Sequence, residues 1–181
     1  VVPAYTSVTT AVLDSAIHNA IVCFDSNANG TCDADEAQGK TDTAGKVSID
    51  IPSADVGKFA LLAMVGTDAV DADNGKVLVP YQLSAPASHT AVVTPLTTLV
   101  QHRVATLGIT AEEAEKTVQA SMGVTATLFQ DSSKAAVPEG GIDPALVSRT
   151  LVMMAQAQGK SLSSTVGTPA ADGKPITQVN L

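Results

Sequence analysis

The sequence predicts an α+β fold: a β-sandwich over residues 1–93, a small helical subdomain over 94–160 and an extended tail over 161–181. Three observations predict it. Short β-branched runs broken by turn residues crowd the first half. Threonine and aspartate caps, two of them followed by proline, open helical stretches in the second half. Hydrophobic residues make up 45% of the chain but aromatics only 3%, with no tryptophan, which suits sheets packed on small side chains.

The elements follow in order. Val8 and Val12-Leu13, then Asp14-Ser15 and Ile17, read as a strand, a turn and a strand leading toward Ala20–Phe24. Asp42 to Gly45 reads as a turn, and Val47, Ile49 and Ile51 alternate with polar residues as a half-buried strand does. Phe59 to Val65 is an apolar run, and Asn74-Gly75 is a hairpin signal. Val77-Leu78-Val79 and Tyr81-Gln82-Leu83 read as one continuing strand.

At Thr94-Pro95 the pattern changes to helix. Thr94 caps a helix with Pro95 at its first position, running to about Leu107 and ended by Gly108. Thr110 and Glu113 form a capping box for a second helix to about Met122, stopped near Gly123. Asp143 and Pro144 repeat the device for a third, whose apolar stripe reads Leu146, Val147, Leu151 and Met154 up to Gly159. Residues 132–141 read as a loop. The tail reads either as a frayed end or as a strand that adds to a neighbour's sheet, and residues 1–12 offer the same second possibility.

Residues 23–36 read CFDSNANGTCDADE, with no Lys or Arg between residues 1 and 39. Numbered from Asp25, the stretch puts Asp25, Asn27 and Asn29 at positions 1, 3 and 5, Gly30 at 6, Thr31 at 7, Asp33 at 9 and Glu36 at 12. That is the calcium-loop pattern of the EF-hand, filled at every specified position. Calcium takes six to eight hard oxygens, which these side chains and the Thr31 carbonyl would supply, with Glu36 bidentate. A solvated acidic turn is the plain alternative, but it needs neither a glutamate at position 12 nor every ligand slot in order. The flanks Ala20–Phe24 and Ala37–Thr41 are not helical, so the expected ion is a static Ca2+ between strands rather than a sensor's.

Cys23 and Cys32, nine positions apart, are within plausible reach of a disulfide if the loop folds back. Free buried thiols or a redox dithiol are the alternatives, and the lack of a C-x-x-C weighs against the second. A bridge implies an oxidising compartment, where calcium is also abundant. Val1 in place of Met, with no basic-then-apolar leader, suits an exported chain whose signal has been removed; a trimmed chain would start the same way.

The order Ala20-x-Val22-x-Phe24, an acidic loop, then Thr41-Asp42-x-x-Gly45-x-x-Ser48-Ile49 resembles an Ig-like, prealbumin-like (carboxypeptidase-regulatory-like) sandwich of bacterial secreted and surface proteins. The loop itself is similar to those of dockerins, without a second copy or a dockerin helix. The likeness covers roughly residues 10–95 and rests on 20–49, with Val47 where such modules often carry an aromatic. It implies a structural or adhesive extracellular module, usually without catalysis.

Other function classes find little support. A net charge of −8 argues against nucleic acid and anionic membranes. No apolar run approaches the roughly 20 residues of a membrane span. His18, His89 and His102 lack ligand spacing, and there is no G-x-S-x-G elbow. Gly39-Lys40-Thr41 mimics the end of a phosphate loop, but Ala34 stands where that motif needs glycine. Asn29-Gly30-Thr31 matches a glycosylation sequon, yet Asn29 is wanted as a ligand. Asp68, Asp71 and Asp73 suit a second cation site or a hairpin turn, the turn being preferred. The expectation is a secreted, calcium-stabilised structural protein, not an enzyme and without catalytic residues. It would form a homo-oligomer or a filament by strand exchange through its termini. The alternative is a ligand- or carbohydrate-binding accessory module, against which the scarcity of aromatics counts.

Overall fold

A computed structural model describes residues 3–165 and 179–180, with side chains through residue 158. Strand β1 (Tyr5–Val12) leads through the Asp14-Ser15 turn to β2 (Ile17–His18) and β3 (Ile21–Phe24). The acidic loop separates β3 from β4 (Gln38–Lys40), and β5 (Lys46–Pro52) follows the Asp42–Gly45 turn. Next come β6 (Leu61–Val65), the hairpin β7 (Val70–Asp71) and β8 (Gly75–Lys76), β9 (Tyr81–Ala85) and β10 (Val92–Val93). Helices α1 (Pro95–Leu107), α2 (Ala111–Met122) and α3 (Pro144–Thr165) complete the order, with β11 (Val179–Asn180) at the end.

The strands form three sheets, ordered β10-β1-β5, β11-β9-β6-β3-β4 and β2-β7-β8. The chain is therefore mixed α+β. Alternation decides what each strand buries. Val47, Ile49 and Ile51 of β5 meet Val22 and Phe24 of β3, Leu61, Ala63 and Val65 of β6, and Leu83 and Ala85 of β9 in one apolar core. The residues between them point the other way. The register aligns Cys23 with Leu62 and Leu62 with Ser84, so these three share the outer face of the five-stranded sheet.

That outer face is covered where α1 begins. Thr94 caps α1 through the Thr97 N–H, and Thr97 returns its hydroxyl to the Thr94 N–H. Thr97 Oγ1 donates to the Ser84 carbonyl at 2.7 Å, and the Ser84 N–H donates to Thr98 Oγ1 at 2.9 Å. All five residues of β9 are consequently buried. A second apolar cluster joins Leu96 and Val100 of α1 to Ala114 and Val118 of α2 and to Val124 and Leu128 beyond it.

Three expectations need correcting. The run 77–79 does not continue into β9: it is a bend before Pro80, which has no N–H for a ladder, and Leu78 is 73% exposed. In α3 the buried face is Ala145, Ser148, Val152 and Ala155, while Leu146 and Met154 face outward. Small side chains let the helix approach the rest of the chain, and the larger ones a step round the helix are left outside. The backbone of α3 also passes Gly159 to Thr165, so the tail does not start at residue 161. Residues 132–141 contain one short 3-10 turn, Ser132–Lys134. Residues 1–2, 166–178 and 181, on which the strand-like reading of both ends partly rests, lie outside the described residues.

Candidate metal centre

The acidic loop is a long hairpin connection. β3 and β4 pair antiparallel, with Cys23 opposite Gln38, and the Phe24 N–H donates to the Ala37 carbonyl just above. The predicted bridge is present: Cys23 is disulfide-bonded to Cys32, with Cα atoms 5.6 Å apart. Because Cys23 points to the outer sheet face, the bridge holds the loop over that face. Gln82, on the same face of β9, donates its side-chain amide to the Gly30 carbonyl at 3.2 Å.

Every side chain expected as a ligand takes part in one hydrogen-bonded network. Asp25 and Glu36 stand at its base, 9% and 7% exposed. Asp25 accepts the N–H of Asn29 on Oδ1 and that of Gly30 on Oδ2, both at 3.0 Å. Glu36 accepts the Ser26 N–H at 2.7 Å on Oε1 and the Asp33 N–H at 3.2 Å on Oε2. Asn27 Oδ1 takes the Asn29 N–H, and Asn29 Oδ1 takes the Thr31 N–H and hydroxyl. The bend itself uses positive φ at Ala28 (56°) and Gly30 (75°), the second open to glycine without strain.

Asp33 is the centre of the charge. Its Oδ2 accepts the Asn27 and Asn29 amides at 2.9 and 2.6 Å, and Oδ1 accepts the Thr31 hydroxyl at 3.2 Å. The Asn27 bond first, then that of Asn29, holds its carboxyl below the usual range. Two amide donors thus converge on Asp33 Oδ2. The first basic residue, Lys40, leans away to Asp68 at 4.0 Å, so the four carboxylates of residues 25–36 keep no ion-pair partner among the described residues.

Sequence reasoning names the ligand positions but misses three supports. Ser26 holds Glu36 with both its N–H and its hydroxyl, Gln38 donates to the Asp33 carbonyl at 2.6 Å, and Gln82 reaches Gly30. Ser26 and Gln38 lie beside the motif. Gln82 is 52 positions from Gly30 and carries no local signal. Among the described residues no three His, Cys, Asp or Glu side chains form a metal-holding group. Calcium in this loop would draw on the amide and carbonyl oxygens of Asn27, Asn29 and Thr31 beside its carboxylates, an all-oxygen set of the kind calcium takes.

The second acidic cluster resolves as a turn. Asp71 Oδ1 accepts the N–H groups of Asp73 and Asn74, both at 2.8 Å. Asp68 bonds Asn19, and Asp73 faces Arg149 at 3.7 Å. The three carboxylates serve three different partners. Among the described residues no helix is long and apolar enough to cross a membrane. The chain matches no family model, no curated protein and no solved structure.

Proposed function

We propose that this chain is a non-catalytic structural module of the cell exterior, with a prealbumin-like sandwich held in shape by calcium in the 25–36 loop. The observation that carries the reading is the bridged loop itself. A complete set of calcium-type ligand residues is pinned by Cys23–Cys32 over a sheet face, with Asp25 and Glu36 buried at its base. Asp25, Asn27, Asn29, Asp33 and Glu36 would hold the ion through side chains and Thr31 through its carbonyl. A bound Ca2+ would relieve the mutual repulsion of the loop's carboxylates. The disulfide supports an oxidising compartment, because reducing cytosol rarely keeps such bonds.

The test is thermal unfolding with and without calcium. At a calcium concentration about 100 times Kd, binding to the folded state alone adds about 2.7 kcal/mol. For a chain of this size that raises Tm by roughly 5–10 °C, and a chelator reverses it. A melting curve indifferent to both, with no metal retained after dialysis against calcium, rejects the reading.

Assembly through strands is the second part of the proposal. β1 is hydrogen-bonded to β5 from Tyr5 to Ala11 but to β10 only at Ala11 and Val12. Among the described residues nothing pairs with the outer edge of residues 5–10. The Ala11 N–H donates to Ala91 on that side, so by alternation the N–H groups of Tyr5, Ser7 and Thr9 point outward. This edge has no charge and no proline, the features that ordinarily keep an edge from pairing with another chain. Sedimentation of the wild-type chain is expected to show concentration-dependent polymers that Ser7→Pro abolishes by removing an outward donor. Monomers alone at high concentration reject assembly and leave the calcium reading standing.

A further inference from the structure

We propose that the cleft between the β7–β8 hairpin and α3 binds an ammonium group on an aliphatic stem, either a free amine or a lysine side chain of another chain. This site is separate from the calcium loop and does not depend on it. The cleft holds about 310 Å³, at the lower end of small-molecule sites. Its floor carries Asp14 and Asp71.

Two oxygens of this floor, Asp71 Oδ2 and Asp14 Oδ1, receive no hydrogen bond among the described residues. Asp71 is 5% exposed, and its four hydrogen bonds, from Ser15, Asp73 and twice from Asn74, all end on Oδ1. That leaves Oδ2 with none among the described residues. Asp14 Oδ1 is buried without a partner. The Tyr81 hydroxyl, on a residue 1% exposed, is also unpartnered. Burial first, then the charges of Asp14 and Asp71, raise its pKa. Buried polar atoms are almost always partnered, so the buried Asp14 Oδ1, next to an Asp71 carboxylate with one oxygen unused, marks a missing donor. An ammonium carries three N–H donors and no acceptor.

Charge and shape agree with that ligand. Asp14 and Asp71 line the cleft together with two cations, Arg149 and Lys76. Arg149 is spent on Asp73, and Lys76 is exposed and forms no ion pair among the described residues. One further positive charge neutralises the cleft. Its walls include Leu78, Leu146 and Met153, which are 73%, 60% and 62% exposed and would cover an aliphatic stem. A metal ion fits less well, because Asp73 is turned to Arg149 and supplies no third carboxylate.

Burial, and next the Asp71 charge, push the Asp14 carboxyl up to about 6, with Arg149 opposing and Asp73 adding. A bound ammonium needs Asp14 ionised, so affinity falls as pH drops through that value. The experiment titrates the full chain with pentylammonium chloride, Nα-acetyl-lysine N-methylamide and pentanol, read by NMR shifts. Both amines are expected to give saturable shifts at Asp14, Tyr81 and Met153, the tighter of the two naming the source. Pentanol should bind the wild-type chain, and pentylammonium the Asp14→Asn chain, at least about tenfold more weakly than pentylammonium binds the wild-type chain. Unchanged thermal unfolding of Asp14→Asn shows that its fold is kept, and Tyr81→Phe is the second variant should it not be. Pentanol binding as tightly as pentylammonium, affinity unaltered in both variants, or no saturable shift overturns the proposal.

Discussion

Asp25→Ala lowers the unfolding free energy of the calcium-free chain by about 1–3 kcal/mol, because the Gly30 N–H loses its acceptor and the Asn29 N–H keeps only that of Asn27. Asn29 and Gly30 form the sharpest part of the loop, and Asp25 itself is only 9% exposed. The Gln82–Gly30 bond and the Cys23–Cys32 bridge hold this part of the loop against the sheet. In saturating calcium the deficit grows by the ion's own contribution, about 2–3 kcal/mol at 100 times Kd, since the first ligand of the loop is gone. Denaturant unfolding of both chains with calcium and with a chelator separates the two parts. A loss below about 1 kcal/mol without calcium would show the network to be loose, and an equal loss with and without calcium would show that Asp25 does not touch the ion.

Replacing both bridge cysteines, Cys23→Ala with Cys32→Ala, is expected to cost about 2–3 kcal/mol, the chain-entropy value for so short a ring. The bridge closes over nine positions, and without it the unfolded loop regains freedom that folding must then remove. The native state changes as well. Cys23 is wholly buried beneath the loop, so alanine there leaves a small void where the sulfur packed. Calcium affinity should fall together with stability, because the ion would have to order a loop no longer tied at its midpoint. Isothermal titration alongside chemical denaturation tests both. Undiminished calcium affinity in the double variant would mean that the sheet anchors alone pre-form the loop.

What could be foreseen from the sequence was local. Thr94 with Pro95 and Thr110 with Glu113 announce helix starts because a cap acts within four residues, and Gly108 and Gly123 end those helices at positive φ. The strand entering the loop and the Cys23–Cys32 bridge were legible for the same reason. The pairing of β1 with both β5 and β10, one antiparallel and one parallel, was not, since strand neighbours are chosen by burial across long sequence separations. Of the stripe expected on α3, Val147 and Leu151 do pack against the second cluster, while hydrophobicity alone wrongly added Leu146 and Met154. Close approach to the rest of the chain instead selects Ala145, Ser148 and Ala155. Gln82 and the Asp14–Asp71–Tyr81 group were invisible, since each depends on residues brought together from distant strands.

The complete burial of Cys23 beside a partly exposed Cys32 sets the direction from which the bridge is made and broken. An oxidant or an isomerase meets the Cys32 sulfur first and forms a mixed disulfide there. The covered Cys23 sulfur then displaces it from the inside, closing the bridge and releasing the carrier's thiol.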